Sequence, residues 1–272
     1  MLPLPDQDLY STAYYQDVKP DYFSHAEEDA GWWDLVYAER LASIEGWWTK
    51  GGVQTGRLLD VGSGPGTFLV SARRRGWHVV GVEPAQQAWA YSVQRFGLDV
   101  KWAPLETAVN TGLGRFDAIH LGEVLEHVVD PLPFLSLVVD LLLPGGVLCV
   151  VVPNDYSIFQ QALRRSGFDP WWLAPPHHLN YFTAKSLHAL VRKCGLAVCD
   201  VFGTFPMEFF LFCGMNYVAD ATLGRQAHAM RKRFEIAMEE GGLGNVKREF
   251  YRALGLRGLG REIVLFAKKV SA

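Results

Sequence analysis

From Arg57 onward, short apolar runs alternate with segments whose apolar residues recur every three to four positions. That pattern predicts a parallel sheet covered by helices. Residues 58–61 read as a first strand followed by a glycine turn. The next segment buries Phe68, Leu69 and Ala72 on one face and stops at Gly76, and Arg73, Arg74 and Arg75 form a basic last turn suited to a helix C-terminus. Residues 78–82, 100–102 and 116–121 read as strands two to four, with a helix over 85–96. Residues 131–142 predict a helix stopped at 144–146. Residues 147–152, nearly all β-branched or apolar, predict a doubly covered fifth strand. Thr183 has the character of an N-cap; Leu187, Leu190, Val191 and Cys194 follow at helical spacing, and Gly195 ends the turn. Residues 196–202 and 262–267 close the pattern as strands six and seven.

Three stretches fall outside this alternation. Residues 1–50 hold Tyr10, Tyr14, Tyr15 and Tyr22 and the pairs Trp32–Trp33 and Trp47–Trp48; the others are 153–182 and 205–260. Long insertions on an α/β sheet build lids and pockets. The expected organisation is an aromatic-rich N-terminal lid over 1–50 and one α/β domain over 51–272 carrying two helical caps. The formal net charge of −3 argues against a dedicated nucleic-acid binder. Cys149, Cys194, Cys199 and Cys213 form no CxxC pair, so neither a zinc knuckle nor a disulfide framework is indicated. The start MLPLPDQDLY lacks the basic and apolar regions of a secretory leader. Asp140, Pro144, Gly145 and Gly146 interrupt the longest apolar region, which excludes it as a transmembrane helix. A protein of a reducing, cytoplasmic compartment is expected.

Asp60-Val-Gly62-Ser-Gly64-Pro-Gly66 lies where a strand hands over to a helix. Glycines there admit a ligand close to the backbone, and the helix N-terminus offers free N–H donors. The spacing is G-x-G-x-G, with Thr67 where the dinucleotide fingerprint has its third glycine, and Asp60 would repel a pyrophosphate yet could hold an ammonium group. Glu83 ends the second strand, where a carboxylate accepts both hydroxyls of a ribose.

These residues resemble the class I S-adenosylmethionine-dependent methyltransferases. LLDVGSGPG is similar to their first motif, Glu83 to the ribose-binding acid, FDAIHL to the fourth-strand motif and LLPGGV to the turn before strand five. The resemblance implies a Rossmann-like, seven-stranded, mostly parallel sheet with the last strand antiparallel. It implies S-adenosylmethionine across the carboxyl ends of the first strands. Gly62, Gly64 and Gly66 would line the methionine part with Asp60, Glu83 would take the ribose and Pro84 the adenine. Leu105 by its backbone, or Glu106, would reach the adenine amine, since Pro104 stands where many relatives carry an acid. Leu121, Glu123 and Tyr15 complete the implied cofactor set.

In Gly122-Glu-Val-Leu-Glu-His127, a helical stub would put Glu123, Glu126 and His127 on one face. The run resembles the ExxEH motif with which ubiquinone-pathway and small-RNA 3′-terminal methyltransferases bind a divalent ion. His178 stands where the latter supply a further histidine. Such a mixed N/O set suits Mn²⁺, Fe²⁺, Co²⁺ or Zn²⁺. The same run also occurs in metal-free relatives, where Glu123 would assist the cofactor and Glu126–His127 would be a surface ion pair.

Methyl transfer is an in-line displacement, so acceptor positioning dominates and a base removes any acceptor proton. His177, His178 and Tyr181 are the candidates, with Tyr14 or Tyr15 closing from the N-terminal segment. Trp171 and Trp172 either stack on an acceptor or fill the cap. Between 221 and 261, nine Lys/Arg face four Glu, which either attracts a phosphorylated acceptor or forms a solvated helical face. The ending resembles ubiquinone-biosynthesis-like methyltransferases. The expected activity is methyl transfer to a small acceptor (a natural product, quinone precursor or sugar), aromatic or phosphorylated. Two alternatives stand beside it: metal-dependent 2′-O-methylation of RNA 3′ termini, and cofactor binding without catalysis.

Overall fold

The computed structural model describes residues 23, 27–48 and 56–270. Seven strands form one sheet: β1 (Arg57–Val61), β2 (His78–Glu83), β3 (Val100–Trp102), β4 (Phe116–Gly122), β5 (Leu142–Pro153), β6 (Leu196–Gly203) and β7 (Glu262–Lys269). Their order is β3-β2-β1-β4-β5-β7-β6, and β7 runs antiparallel to both β5 and β6. The remaining pairs are parallel. Strand order reverses between β1 and β4, so the crevice of such a sheet opens at their carboxyl ends.

Alternate residues of each strand enter one of two cores. On one face Ile119, Leu121, Leu148 and Val150 pack with Leu135 and Val138 of α5 (Pro131–Leu141) and with Leu187 and Val191 of α7 (Ala184–Lys193). That face also holds Leu105 and Ala108 of the short α4 (Leu105–Ala108). On the other, Leu58, Ala118, Cys149, Val151 and Phe266 pack with α1 (Ala30–Trp47), α2 (Thr67–Arg74) and α10 (Gly244–Leu256). Helix α3 (Gln86–Phe96) covers the β2–β3 edge through Trp89, Val93 and Phe96. Thr183 caps α7 in a reciprocal pair with Ser186. The four cysteines are free. No helix among the described residues is long and apolar enough to cross a membrane.

Two expectations are corrected. Strand β5 begins at Leu142, which pairs with Phe116, and a register shift carries the ladder on to Val147 opposite Ala118. The Pro144–Gly146 stretch is therefore an irregularity inside a strand. Lys269 Nζ donates to the carbonyls of Val139 and Leu142 and closes the end of α5. Residues 30–48, expected within a lid, form a layer of the fold instead: Arg74 and Arg75 pair with Asp34 and Glu45, and Trp48 packs on Trp77 at 5.0 Å. Tyr10, Tyr14, Tyr15 and Tyr22 lie outside the described residues.

The two insertions carry α6 (Ile158–Arg165), α8 (Glu208–Phe212), α9 (Ala221–Glu240) and α10. Helices α9 and α10 dock on α1 through buried charge. Lys247 Nζ lies 2.8 Å from Glu39 and 2.9 Å from Glu239, Glu235 accepts from Trp32 Nε1 and Tyr251 Oη, and Asp29 pairs with His228 and Lys232. Arg252 engages Asp200 through a forked pair. Much of the basic excess in 221–261 is thus consumed in holding the cap together, which removes the sequence argument for a phosphorylated acceptor.

One buried amide fixes the loop after β5. Asn154 Nδ2 donates to the carbonyls of Gly258 and Gly260 at 3.0 and 2.9 Å, and its N–H donates to Arg261 O. Replacing it leaves two buried carbonyls unsatisfied. Asn154→Ala is expected to lower stability by about 1–3 kcal/mol, read as a shifted urea midpoint at unchanged slope.

Candidate active site

The glycine turn joins β1 to α2. Gly62, Gly64 and Gly66 hold φ of +70°, +51° and +80°, values costly for residues with a Cβ. A Cβ at Gly62 would stand 2.7 Å from Val124 Cγ2, so the turn packs directly on the segment following β4. Gly62 and Ser63 donate to Val82 O, which ties the turn to β2.

Glu83 lies at the end of β2, buried, with one carboxylate oxygen accepting from Gly64 N–H and the other from Ala85 N–H, both at 2.8 Å. Burial pushes its pKa up to about 7, against the opposing pull of the two amides. The acid therefore braces the glycine turn. Pro84 O accepts from Trp102 Nε1; Trp102, exposed and stacked on Trp89 at 5.4 Å, forms an aromatic shelf that sequence reading had treated only as a strand end.

Leu105 is buried in the core at the start of α4, whereas Glu106 is exposed. Leu121 is also a core side chain, so only its backbone can meet a ligand. Asp60 differs from expectation. It is buried and its Oδ1 lies 2.7 Å from His120 Nδ1, which leaves one oxygen for any ammonium group. His120 stacks on Phe68 at 3.8 Å, and desolvation lowers its pKa. Tyr37 completes this corner through Thr67 Oγ1 at 3.2 Å, its pKa raised by burial to about 12.

The segment after β4 is a turn, not a helical stub. Glu123 has φ +56°, a left-handed value that breaks the helical spacing, and its N–H donates to Val151 O. Glu126, His127 and His178 nevertheless converge, each offering a ligand atom within 4.8 Å of the others; Glu123 is not part of the group. The cap brings His178 there. Leu179 and Asn180 donate their N–H groups to Glu126 O, and Asn180 Nδ2 donates to the carbonyls of Leu125 and Val128.

His127 Nδ1 lies 2.9 Å from His177 O, so it donates there and Nε2 is the atom left toward Glu126, 3.9 Å from Oε1. Glu126 is no surface ion pair. It is 1% exposed, its Oε2 has no partner, and burial with the charges of Glu123 and Asp155 holds its pKa well above the usual carboxylate range. Tyr181 Oη accepts from Ala174 N–H, and its ring and that of His178 lie 6.3 Å apart.

Sequence reading missed the acids beyond β5. Asp155 and Glu208 are each 1% exposed, and Arg261 and Tyr217 stand electrostatically beside Glu208. Tyr156 between cap and strand has φ +56° and packs edge-on to both Trp172 and Tyr181. With Glu123, it is one of two non-glycine residues of positive φ among the described residues, one beyond β4 and one beyond β5. Strain of this kind collects at functional sites.

The fold is that of a doubly wound α/β protein whose crevice opens at the carboxyl ends of β1 and β4. A family model for the methyltransferase domain matches residues 25–201, more than half of the chain, and the chain belongs to that family. A ubiquinone biosynthesis O-methyltransferase of Cereibacter sphaeroides is 30% identical over 151 residues, which cover 53% of this chain and 61% of the relative. A SAM-dependent methyltransferase from Archaeoglobus fulgidus shares the fold at 19% identity and TM-score 0.56, over 91% of this chain and 99% of its own. A plantazolicin methyltransferase solved with a substrate analogue and SAH does so at 12% identity and TM-score 0.58, over 97% and 94%.

The cap's attachment is directly testable. Asn180→Ala removes the side-chain donor to Leu125 and Val128, so the amides of Leu179 and Asn180 are expected to exchange with deuterium at least tenfold faster, about 1.4 kcal/mol of lost protection. Amides of β4 should be unaffected.

Proposed function

We propose that this chain transfers the methyl group of S-adenosylmethionine to a hydroxyl of a small-molecule acceptor. The observation that carries the reading is the packing of the glycine turn on Val124, in the same segment that brings Glu126 and His127 to His178. On one side stand the glycine turn and Glu83; on the other stand His178, Tyr181 and Asp155 from the loop after β5 and its cap. The O-methyltransferase named among the relatives supports oxygen as the acceptor atom. A cytoplasmic setting accords with four free cysteines.

S-adenosylmethionine supplies an electrophilic methyl group: the sulfur–methyl bond breaks, its electron pair stays on sulfur, and the acceptor oxygen gains the carbon. The protein's part is to bind, orient and manage one proton. Gly62, Gly64 and Gly66 admit the amino-acid part against the backbone, Glu83 accepts from the ribose hydroxyls, and Pro84, the Leu105 backbone and Trp102 bound the adenine. The acceptor proton leaves to an imidazole of His177 or His178, with Tyr181 orienting the acceptor oxygen. Buried acids across the acceptor side oppose a polyanion, so RNA termini are not favoured.

A second reading rests on Glu126, a buried carboxyl group that converges with the imidazoles of His127 and His178 and keeps one oxygen without a partner. The donor set fits a divalent ion: Glu126, His127 and His178 would hold it, with the His127 tautomer fixed by the His177 carbonyl as metal-bound histidines commonly are. Such an ion would act as a Lewis acid on an acceptor hydroxyl.

Calorimetric titration of S-adenosylhomocysteine tests the first reading. Only as a carboxylate can Glu83 accept on both oxygens from ribose hydroxyls while keeping its two amides, and its pKa is raised to about 7. Affinity should therefore be full above pH 7 and fall as the pH drops below it, by up to about tenfold per unit. Glu83→Ala should weaken binding by about 1.5–3 kcal/mol and flatten that dependence; no binding by the wild type would overturn the reading. For the second, Mn²⁺ titrated into chelator-treated protein should bind, and Glu126→Ala and His178→Ala should each abolish it. Absence of binding, or binding indifferent to both substitutions, would retire the ion.

A further inference from the structure

Beyond the histidines, the acceptor side holds a polar set that the methyl-transfer steps leave unused. Asp155 follows the Asn154 strap, its N–H bonded to Phe182 O and its Oδ2 buried without a partner. Glu208 opens α8 from the other insertion. Its Oε1 accepts from Gln160 Nε2 at 3.4 Å and its Oε2 is buried without a partner. Arg261, at the entry to β7, accepts at its carbonyl from the Asn154 N–H next to Asp155, its charge is felt by Glu208, Glu262 and Asp155, and among the described residues it makes no direct ion pair. The Trp172 Nε1–H is buried and unpartnered as well.

Around these groups the walls are aromatic. Trp171 stands edge-on to Trp172 at 5.0 Å, and Tyr156 edge-on to Trp172 at 5.7 Å. Tyr217 lies beside Trp171, Glu208 and Arg261.

The inventory discriminates among ligands. A phosphate at Arg261 would lie against two acids, and an ammonium at the acids would lie against Arg261. A hydroxyl both donates and accepts, so a group of hydroxyls uses open carboxylate oxygens, a guanidinium and an indole N–H together. Two phenolic hydroxyls would leave part of that set bare, and buried polar groups without partners are costly. A saturated ring bearing several hydroxyls satisfies it and presents C–H faces to the indoles.

We propose that Asp155, Glu208, Arg261 and Trp172 form the acceptor-recognition site, and that it takes a neutral, polyhydroxylated, sugar-like ring. Asp155 and Glu208 accept from ring hydroxyls, while Arg261 and the Trp172 indole donate to them. This assignment rests on the methyltransferase reading, and it makes the residues specificity determinants rather than proton carriers.

The test is saturation-transfer NMR on the full chain saturated with S-adenosylhomocysteine. The probes are methyl α-mannoside, methyl α-rhamnoside, catechol and mannose 6-phosphate. A glycoside should give transfer to its ring protons, and Asp155→Asn and Glu208→Gln should each weaken that binding at least tenfold at unchanged S-adenosylhomocysteine affinity. Should either variant lose the nucleoside as well, Trp172→Phe, which removes the indole donor, replaces it with the same expectation. Transfer to catechol alone, preference for the phosphate, no glycoside binding, or glycoside binding indifferent to the substitutions would each overturn the proposal. Failure of the wild type to bind S-adenosylhomocysteine would instead strike the reading beneath it.

Discussion

The cost of keeping carboxyl groups away from water governs this cleft. Glu83, Glu126, Asp155 and Glu208 are all nearly inaccessible, and desolvation raises the pKa of each. Glu83 recovers part of that cost from two backbone amides, and so becomes a structural brace of the glycine turn. The other three retain an oxygen without a partner. A fold optimised for stability alone would not bury such groups; a binding site does, because a ligand later supplies the missing donors. Asp155, pushed up to about 6, shows how far burial can move such an acid toward neutral pH.

The surrounding architecture serves to hold these acids in place. The reversal of strand order between β1 and β4 opens the crevice, the register of β5 against β4 and β7 sets where the Asn154–Tyr156 loop emerges, and Asn154 pins that loop to the approach of β7. On the other side of the cleft, the segment after β4 is held between Gly62 and the cap, with Val124 against the glycine and the Glu126 carbonyl bonded to Leu179 and Asn180. The glycine turn and the Leu179–Asn180 stretch therefore meet through one short peptide, residues 122–128. Changes on either side reach the other through packed backbone.

Much of the sheet was legible because short, nearly continuous apolar and β-branched runs mark doubly covered strands, and glycines mark their exits. The glycine turn and the end of β2 could be read because each has a local reason: a turn needs positive φ at Gly62, and the strand ends at Glu83. The stub over 123–127 was misread for a physical reason. Its spacing fits a helix, but a tertiary bond claims the carbonyl of Glu126 and Glu123 turns left-handed, neither of which spacing reveals. Asp155, Glu208 and Arg261 were missed because some fifty residues separate each from the next. A signal was present, however: an acid directly after an apolar strand, and a lone glutamate inside the run Pro206-Met-Glu-Phe-Phe-Leu-Phe212, where charge is otherwise avoided.

The position of β7 between β5 and β6 gives the second insertion an unusual freedom. The Thr204 N–H donates to Glu262 O and its hydroxyl accepts from Glu262 N–H, so the two ends of residues 205–261 are clasped side by side by the sheet itself. Closing such a loop costs entropy that grows only with the logarithm of its length. The segment thus behaves as a cassette mounted on a fixed socket. The stretch between α8 and α9 can change in length at small entropic cost, whereas α10, whose Tyr251 and Leu254 lie in the core beneath the sheet, must be kept.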